Sequence, residues 1–298
     1  MSVKPAMMGQ IGAARATHHE VEVLGHTTHY WTYPARGKSK GTLVLLHGYR
    51  GAHDGLEPII GGLEDFDCIA PDLPGYGITE PLDKKHNLAT YSEWLGEFLM
   101  ALKLPVKPAV LGHSFATLVM SHHTSKNDDM GDLIMLNPVA KPGLKGPRRY
   151  TSLLTEGIFW AASKLPERGA RYIMDHWLLI QVTSSVMCKT RDKELRKWVH
   201  GQHHKTLKDY ANATVMFECY QASISHSVEE FASAIENRTL MIAGAEDDIT
   251  SEKQQREVAP LLANSTLAVL PGVGHLTHYE TTEEVCILIR DFLSEAKS

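Results

Sequence analysis

The sequence lacks several features that would mark a specialised class of protein. Four of its 298 residues are cysteine, and none of them stands in a CxxC pair. This scatter favours buried thiols in a reducing compartment over a disulfide framework. The first 20 residues lack the apolar core of a signal peptide, and no later apolar run is long enough to span a bilayer. We therefore expect a cytoplasmic location and no integral membrane segment.

Neither the charge nor the spacing of metal-ligating residues indicates a special partner. The formal net charge of −5 gives no overall field for gathering nucleic acid or anionic lipid. Three adjacent histidine pairs could suggest a metal site: His18–His19, His122–His123 and His203–His204. No Asp or Cys completes a ligand set at close spacing, so we predict surface histidines and no metal.

Short apolar runs alternate with helical segments along most of the chain. A hairpin is predicted from Glu20, and buried strands are predicted at 42–46, 67–70, 109–112, 133–136, 239–244 and 266–270. Helices are predicted near 56–63, at 90–102 with Thr90 or Ser92 as the N-cap, and at 115–123, 251–262 and 281–293. This alternation predicts an α/β fold with a mainly parallel, doubly wound sheet and helices on both faces.

The alternation stops between residues 139 and 235, where the pattern is helical and rich in Trp and Met. We interpret this stretch as a helical cap, entered through the Pro- and Gly-rich segment 141–149, in which Arg148 and Arg149 form a solvated hinge. The predicted domains are a core of 20–138 and 236–298, a cap of 139–235 and an N-terminal extension of 1–19. We expect the Trp and Met side chains of the cap to form mainly its own core.

Ser114 stands where a nucleophile is expected. Residues 111–116 (LGHSFA) follow a strand and open a helix, which is the setting of a G-x-S-x-G nucleophile elbow. The sharp turn requires small residues two positions either side of the serine, and Gly112 and Ala116 are both small. Ala116 and Thr117 depart from the usual Gly-Gly. Alone, Ser114 could also be an ordinary turn or N-cap serine.

Asp247 and His275 supply the partners that a serine nucleophile needs, in the chain order Ser, Asp, His. Each follows a predicted strand, so both should lie with Ser114 at the carboxyl edge of the sheet. Glu246 and Asp248 compete with Asp247, which we favour on spacing. His278 competes with His275, which the flanking glycines favour. The stretch after the strand that ends at residue 136 offers no carboxylate.

The backbone N–H groups of Tyr49 and Phe115 are predicted to form an oxyanion hole. Gly48 would let its loop approach the serine closely, and His47 could brace that loop by hydrogen bonding, unless it merely ends the strand. His113, beside the serine, is a further supporting residue.

Taken in order, these motifs resemble those of the α/β-hydrolase superfamily over most of residues 20 to 294. They are HG at 47–48, DLPGYG at 72–77, GHSFA at 112–116, GAEDD at 244–248 and GVGHLTHYE at 272–280. The resemblance implies a hydrolase core with a helical lid and no cofactor. Ser114 argues against the haloalkane dehalogenases and epoxide hydrolases of this superfamily, which use an aspartate at the elbow.

We therefore predict that the protein hydrolyses an ester or related acyl bond of a small-molecule or lipid-like substrate, with no nucleic-acid partner. The aromatic and aliphatic content of the cap suggests a partly apolar substrate. Acyl transfer and C–C bond hydrolysis would use the same triad and stay open as alternatives. A binding protein that has kept the scaffold without turnover is a third possibility.

Overall fold

The structure is a computed structural model that describes residues 4–145 and 149–295. Its centre is an eight-stranded sheet in the order β1-β2-β4-β3-β5-β6-β7-β8. The strands are β1 (Thr17–Val23), β2 (His26–Tyr33), β3 (Thr42–Leu46), β4 (Asp67–Pro71), β5 (Ala109–His113), β6 (Leu133–Leu136), β7 (Thr239–Gly244) and β8 (Ser265–Leu270). Strand β2 is antiparallel to both of its neighbours, β1 and β4, and every other neighbouring pair is parallel, so the predicted mainly parallel α/β sheet is confirmed.

Helices cover both faces of this sheet and fill the stretch between β6 and β7. In the described residues they are α1 (Lys4–Ala13), α2 (Glu57–Gly62), α3 (Leu88–Ala101), α4 (Phe115–Thr124), α5 (Arg149–Ser163), α6 (Glu167–Met174), α7 (Trp177–Met187), α8 (Lys193–Thr206), α9 (Ala213–Ser225), α10 (Glu252–Val258), α11 (Thr277–Glu280) and α12 (Thr282–Glu295). None of the helices in the described ranges combines the length and apolarity that a membrane crossing needs.

The central strands are buried on both faces, which explains their continuous apolar sequences. Val44 of β3 points into a core layer that contains Trp94 of α3, whereas its neighbour Leu43 points into the opposite layer with Ile289 of α12. Successive strand residues alternate between the two faces, so a strand covered by helices on both sides must be apolar throughout.

Two helix and strand boundaries near the N-terminus differ from the prediction. Helix α1 lies within the predicted extension, and β1 begins at Thr17, three residues before Glu20. Two glycines let α1 cross α2 closely: a Cβ on Gly61 would lie 1.8 Å from the carbonyl oxygen of Met8, and one on Gly12 would lie 2.5 Å from that of Glu57. The periodicity of apolar residues does not reveal this contact between the backbones of α1 and α2.

The predicted N-cap of α3 is wrong. The Asn87 side chain accepts a hydrogen bond from the backbone N–H of Thr90 at 3.0 Å, so the helix begins at Leu88. Thr90 and Ser92 are therefore internal helix residues. Asn, Ser and Thr all favour caps, and sequence alone did not identify which of them starts the helix.

The insertion between β6 and β7 is helical, as its sequence indicated, but two of its tryptophans are not core residues. Trp160 is 53% exposed and Trp177 is 60% exposed. The predicted hinge at 141–149 is described only in part, because Arg148 lies outside the described residues. Residues 1–3 of the predicted extension and 296–298 of the predicted core also lie outside them.

Candidate active site

Ser114 occupies a strained turn between β5 and α4. Its φ of +51° and ψ of −115° lie outside the regions that L-residues favour, and such strain is typical of a strand-to-helix elbow. Its N–H donates to the carbonyl of Leu136 on the next strand at 2.9 Å. A Cβ on Gly112 would lie only 3.0 Å from the Ala116 carbonyl oxygen and 2.7 Å from the Met120 sulfur, so a larger residue there would push the Met120 side chain away and crowd the turn.

Thr117, one of the residues that departs from the usual elbow pattern, braces the turn. Its hydroxyl donates to the carbonyl oxygen of Ser114 at 2.6 Å and accepts from the backbone N–H of Val139 at 3.2 Å. Thr117 is fully buried. The threonine therefore joins the elbow to the chain that follows β6, a link that glycine could not make.

The three side chains singled out from the sequence lie in hydrogen-bond contact. His275 Nε2 is 2.8 Å from Ser114 Oγ, and His275 Nδ1 is 2.7 Å from Asp247 Oδ2. Because the carboxylate can only accept, Nδ1 carries the proton and Nε2 is left to accept from the serine hydroxyl. His275 and Asp247 are almost completely buried, whereas Ser114 is partly exposed. A substrate could therefore reach the serine but not its partners.

Asn137 lies just after β6, in the stretch where the sequence analysis found no carboxylate. Its side chain holds Asp247 in place. Its Nδ2 donates to Asp247 Oδ2 and to the Gly274 carbonyl, both at 3.1 Å, and its Oδ1 accepts from the Thr277 hydroxyl at 2.7 Å. Asp247 Oδ1 accepts two further backbone N–H groups, from Ile249 and Thr250. The carboxylate is thus fixed by donors on both oxygens, which keeps it aimed at the imidazole.

The rival residues have other contacts. Glu246 is exposed, and the Asp248 carboxylate is paired with the Lys189 ammonium. His278 is buried against the ring of His113, with centroids 4.3 Å apart. Burial strongly lowers the pKa of His278, and burial with the nearby His275 lowers the pKa of His113 to about 3. His113 Nε2 donates to the carbonyl of His275 at 3.2 Å and so supports the loop that carries it.

The Gly48–Tyr49 loop lies directly against Ser114. A Cβ on Gly48 would be 3.2 Å from the Cβ of Ser114, so a larger residue would force these groups apart. His47 Nδ1 donates to the Gly48 carbonyl at 2.8 Å, while its Nε2 accepts from the N–H of Leu73 at 2.9 Å. Burial lowers the pKa of His47, which keeps the ring in the neutral form that this pair of contacts requires. Among the described residues, no acceptor contacts the backbone N–H of Tyr49 or Phe115.

Arg50 ties this loop to the inserted helices, and nothing in the sequence pattern indicated it. Its Nε donates to the Leu207 carbonyl at 2.9 Å, and its Nη2 donates to the carbonyls of Leu207 and Met174. The guanidinium is 5% exposed and lies 3.7 Å from an Asp175 oxygen. Arg50 therefore fixes the residue next to Tyr49 against the ends of α6 and α8.

An aromatic cluster borders the loop on the side of the insertion. The ring of Tyr49 lies 5.8 Å from Tyr220 of α9 and 6.5 Å from Phe159 of α5, measured between centroids. The Tyr49 hydroxyl donates to the carbonyl of Met216 at 3.1 Å. A separate surface groove of about 790 Å³ lies between α3 and α4, but its lining includes none of Ser114, Asp247 or His275.

The histidine pairs are not simply surface residues. His203 is buried and its Nδ1 contacts the Ser184 hydroxyl, and His123 is buried between the Ser92 carbonyl and a carboxylate. In the described residues one potential metal-ligand group occurs, formed by His18, Glu20 and His29 on the β1–β2 hairpin. Its ligand atoms lie within 4.8 Å of one another, but His18 and His29 are hydrogen-bonded directly.

Comparison with known proteins gives one family and several distant relatives. Residues 41–282 match the family described as alpha/beta hydrolase fold. Esterase YbfF of Escherichia coli is 23% identical over 260 residues, covering 85% of this chain and 93% of that protein. The alpha/beta hydrolase domain-containing protein VTE7 of Arabidopsis thaliana is 26% identical over 127 residues, 42% of this chain and 38% of that protein. The solved enol-lactonase from Burkholderia xenovorans superimposes with a TM-score of 0.77 at 17% identity, covering 93% of this chain and 100% of the lactonase.

Proposed function

We propose that this chain, which belongs to the α/β-hydrolase fold family, is a serine hydrolase that cleaves a carboxylic ester or related acyl bond. The observation that carries the proposal is the continuous hydrogen-bonded series from Ser114 through His275 to Asp247. This series supports roles for Ser114 as the nucleophile, His275 as the base and Asp247 as the acid that orients it, which are the roles that acyl transfer to a serine requires.

In the acylation step, Ser114 Oγ attacks the carbonyl carbon of the ester while its proton passes to His275 Nε2. Asp247 stabilises the imidazolium that forms and keeps the ring in the useful tautomer. The imidazolium then gives its proton to the leaving alkoxide oxygen, so the C–O bond breaks and an alcohol departs. The acyl group stays on the serine oxygen.

Deacylation repeats these steps with water. His275 takes a proton from a water molecule as its oxygen attacks the acyl carbon, and returns that proton to Ser114 Oγ as the carboxylic acid leaves. In both steps negative charge develops on the former carbonyl oxygen. The N–H groups of Tyr49 and Phe115 would donate to it, and that of Phe115 also opens α4, where the helix dipole favours an anion.

The core of the proposed enzyme is 20–138 with 236–298, and we propose that the insertion 139–235 acts as its cap. The rings of Tyr49, Phe159 and Tyr220 pack together beside Gly48, whose backbone lies close to Ser114, and they would favour an apolar acyl or alcohol group. A series of p-nitrophenyl esters of increasing acyl length measures this preference. A kcat/KM that falls steadily from acetate onwards would contradict it.

The Ser114→Ala variant tests the proposed mechanism. We expect p-nitrophenyl ester turnover to fall at least about 10⁴-fold, with an unchanged melting temperature. A fluorophosphonate probe should label the parent protein at Ser114 and leave the variant unlabelled. The control is Ser125→Ala, at the other end of α4, which should keep both activity and labelling. Parent-level turnover by Ser114→Ala would refute the mechanism, and a parent that is neither labelled nor active would favour a binding protein.

A further inference from the structure

Helix α5 carries an apolar stripe that faces solvent. Six residues recur at the three- and four-residue spacing of one helix face: Tyr150, Leu153, Leu154, Gly157, Ile158 and Ala161. All six are exposed, with Leu154 at 66%, and Trp160 beside them is also exposed. In a surface helix such a stripe normally faces the core, so this helix has the opposite arrangement.

The opposite face of α5 already makes the contacts that hold the helix in place. Phe159 and Ala162 are buried, and Phe159 packs on Tyr220 with centroids 5.1 Å apart. Glu156, on this inner side, accepts a hydrogen bond from Gln221 at 2.9 Å. The exposed stripe is therefore additional to the packing of the helix, and an apolar surface of this kind indicates a partner.

Two basic residues follow the stripe along the chain, whereas the acids of the same segment, Glu156 and Glu167, are already engaged. Lys164 and Arg168 follow α5 and are exposed, and among the described residues neither forms an ion pair. Glu167 between them is held by Arg171 at 2.8 Å. Residues 149–171 contain four Lys or Arg and two Glu. This segment is therefore basic, although the net charge of the whole chain is −5.

We propose that the α5 stripe docks on an anionic lipid surface. An amphipathic helix that lies in the interface buries its apolar face among the acyl chains, places tryptophan at headgroup depth and pairs its cations with lipid phosphates. Trp160, Lys164 and Arg168 supply these elements. The occupant is a bilayer rather than a second copy of this chain, because a symmetric contact would bring the same cations together while Glu156 and Glu167 stay engaged.

The docking surface lies next to the proposed active site. Phe159, on the inner side of the same helix, borders Tyr49, so the lipid and the aromatic cluster would be separated by about the 10 Å diameter of a helix. The protein would then take substrates that partition into the bilayer. This last step rests on the proposed function, whereas the docking itself does not.

Vesicle cosedimentation of the Ser114→Ala protein tests the docking without turnover. Vesicles of phosphatidylcholine alone are compared with an equal mixture of phosphatidylcholine and phosphatidylglycerol. We expect binding to the mixture that weakens as salt is added, since charge attraction at the surface is screened. Binding to phosphatidylcholine alone should be much weaker.

Two variants separate the apolar and charged contributions. Leu153→Ser/Leu154→Ser/Ile158→Ser should weaken binding at least about tenfold through lost apolar burial. Lys164→Gln/Arg168→Gln should weaken it about 25-fold, which is about fivefold for each cation near an anionic surface. The controls are Ile287→Ser on α12 and Lys38→Gln/Lys103→Gln, which remove equivalent exposed groups from the core and should bind like the parent.

Three results would overturn the proposal. They are no binding by the parent protein, parent-level binding by the serine triple variant with an unchanged melting temperature, or a parent dimer in light scattering that this variant converts to monomer. The third would assign the stripe to a second copy. Loss of vesicle binding would leave the hydrolase mechanism intact, and loss of ester turnover would leave the docking surface intact.

Discussion

Arg50→Met removes a buried guanidinium and leaves an unbranched apolar side chain in the space of its stem. In the parent protein the guanidinium donates to two carbonyls at the ends of α6 and α8, those of Met174 and Leu207. Neither carbonyl would have a donor from this position in the variant. Asp175 would keep its contacts with Arg171 and with the Tyr210 hydroxyl.

The size of the effect follows from the number of groups left without partners. A hydrogen bond with a charged partner contributes about 1.5–3 kcal/mol, and a buried group left unsatisfied costs about 1–3 kcal/mol. With two carbonyls left unsatisfied, we therefore expect Arg50→Met to lower the free energy of unfolding by about 2–6 kcal/mol. Because Arg50 also fixes the residue beside Tyr49, kcat should fall more than KM rises.

Urea unfolding followed by tryptophan fluorescence measures the stability, and p-nitrophenyl ester kinetics measures the split between kcat and KM. Arg171→Met is a suitable control, because Arg171 contacts the same Asp175 from a partly exposed position and does not touch the Gly48–Tyr49 loop. Arg171 also donates to the carbonyls of Tyr210 and Ala211, so this variant should lower the free energy of unfolding by about 1–3 kcal/mol but leave kcat unchanged. If Arg50→Met behaved like Arg171→Met in both assays, the proposed bracing of the loop would be wrong.

Three further changes test other parts of the site. Asn137→Leu removes two N–H donors beside Asp247. We expect kcat to fall by about 10- to 100-fold, while fluorophosphonate labelling at saturation persists. An unchanged kcat would show that the amide does not orient the acid. Thr117→Val removes the hydroxyl that braces Ser114 and should lower the melting temperature, which calorimetry can measure against Thr117→Ser as the control. Burial lowers the pKa of His203 to about 3, so below pH 6.5 the unfolded chain binds a proton that the folded protein excludes. This site should then lower the free energy of unfolding by about 1.4 kcal/mol per pH unit as the pH falls towards 3. His203→Gln should flatten the acid limb of the stability profile, and an unaltered slope would contradict the burial effect.

The parallel sheet could be predicted because strands that are buried on both faces have short, continuous apolar sequences. The runs that became β3, β5, β6 and β7 are short, apolar and followed by turn residues, and the structure places all four in parallel register. Their order also predicted which loops would meet at the carboxyl edge. The elbow at Ser114 and the loops of Asp247 and His275 are adjacent in the structure for that reason.

The roles of residues that depend on the path of the backbone could not be predicted from a sequence pattern. Asp247 and Asp248 are neighbours in an irregular turn, and only the path of that turn determines which carboxylate faces His275. Arg50 and Asn137 are single polar residues whose partners lie far away in the sequence. The sequence also did not show that the α5 stripe faces solvent. An apolar periodicity indicates one face of a helix, but it does not indicate whether protein or solvent covers that face.

The contacts between the core and the insertion also constrain how the two could be recombined. The Arg50 guanidinium takes its acceptors from Met174 and Leu207, and the backbone N–H of His275 donates to the carbonyl of Met187 at 3.0 Å. All three acceptors are backbone carbonyls at helix ends of the insertion, so their identity does not depend on side chains. A chimera that received the insertion of a relative would therefore need no particular side chain at those three helix ends. It would fail unless those helices ended at the same points in space, which makes helix length, rather than residue identity, the property to match when substrate preference is transferred.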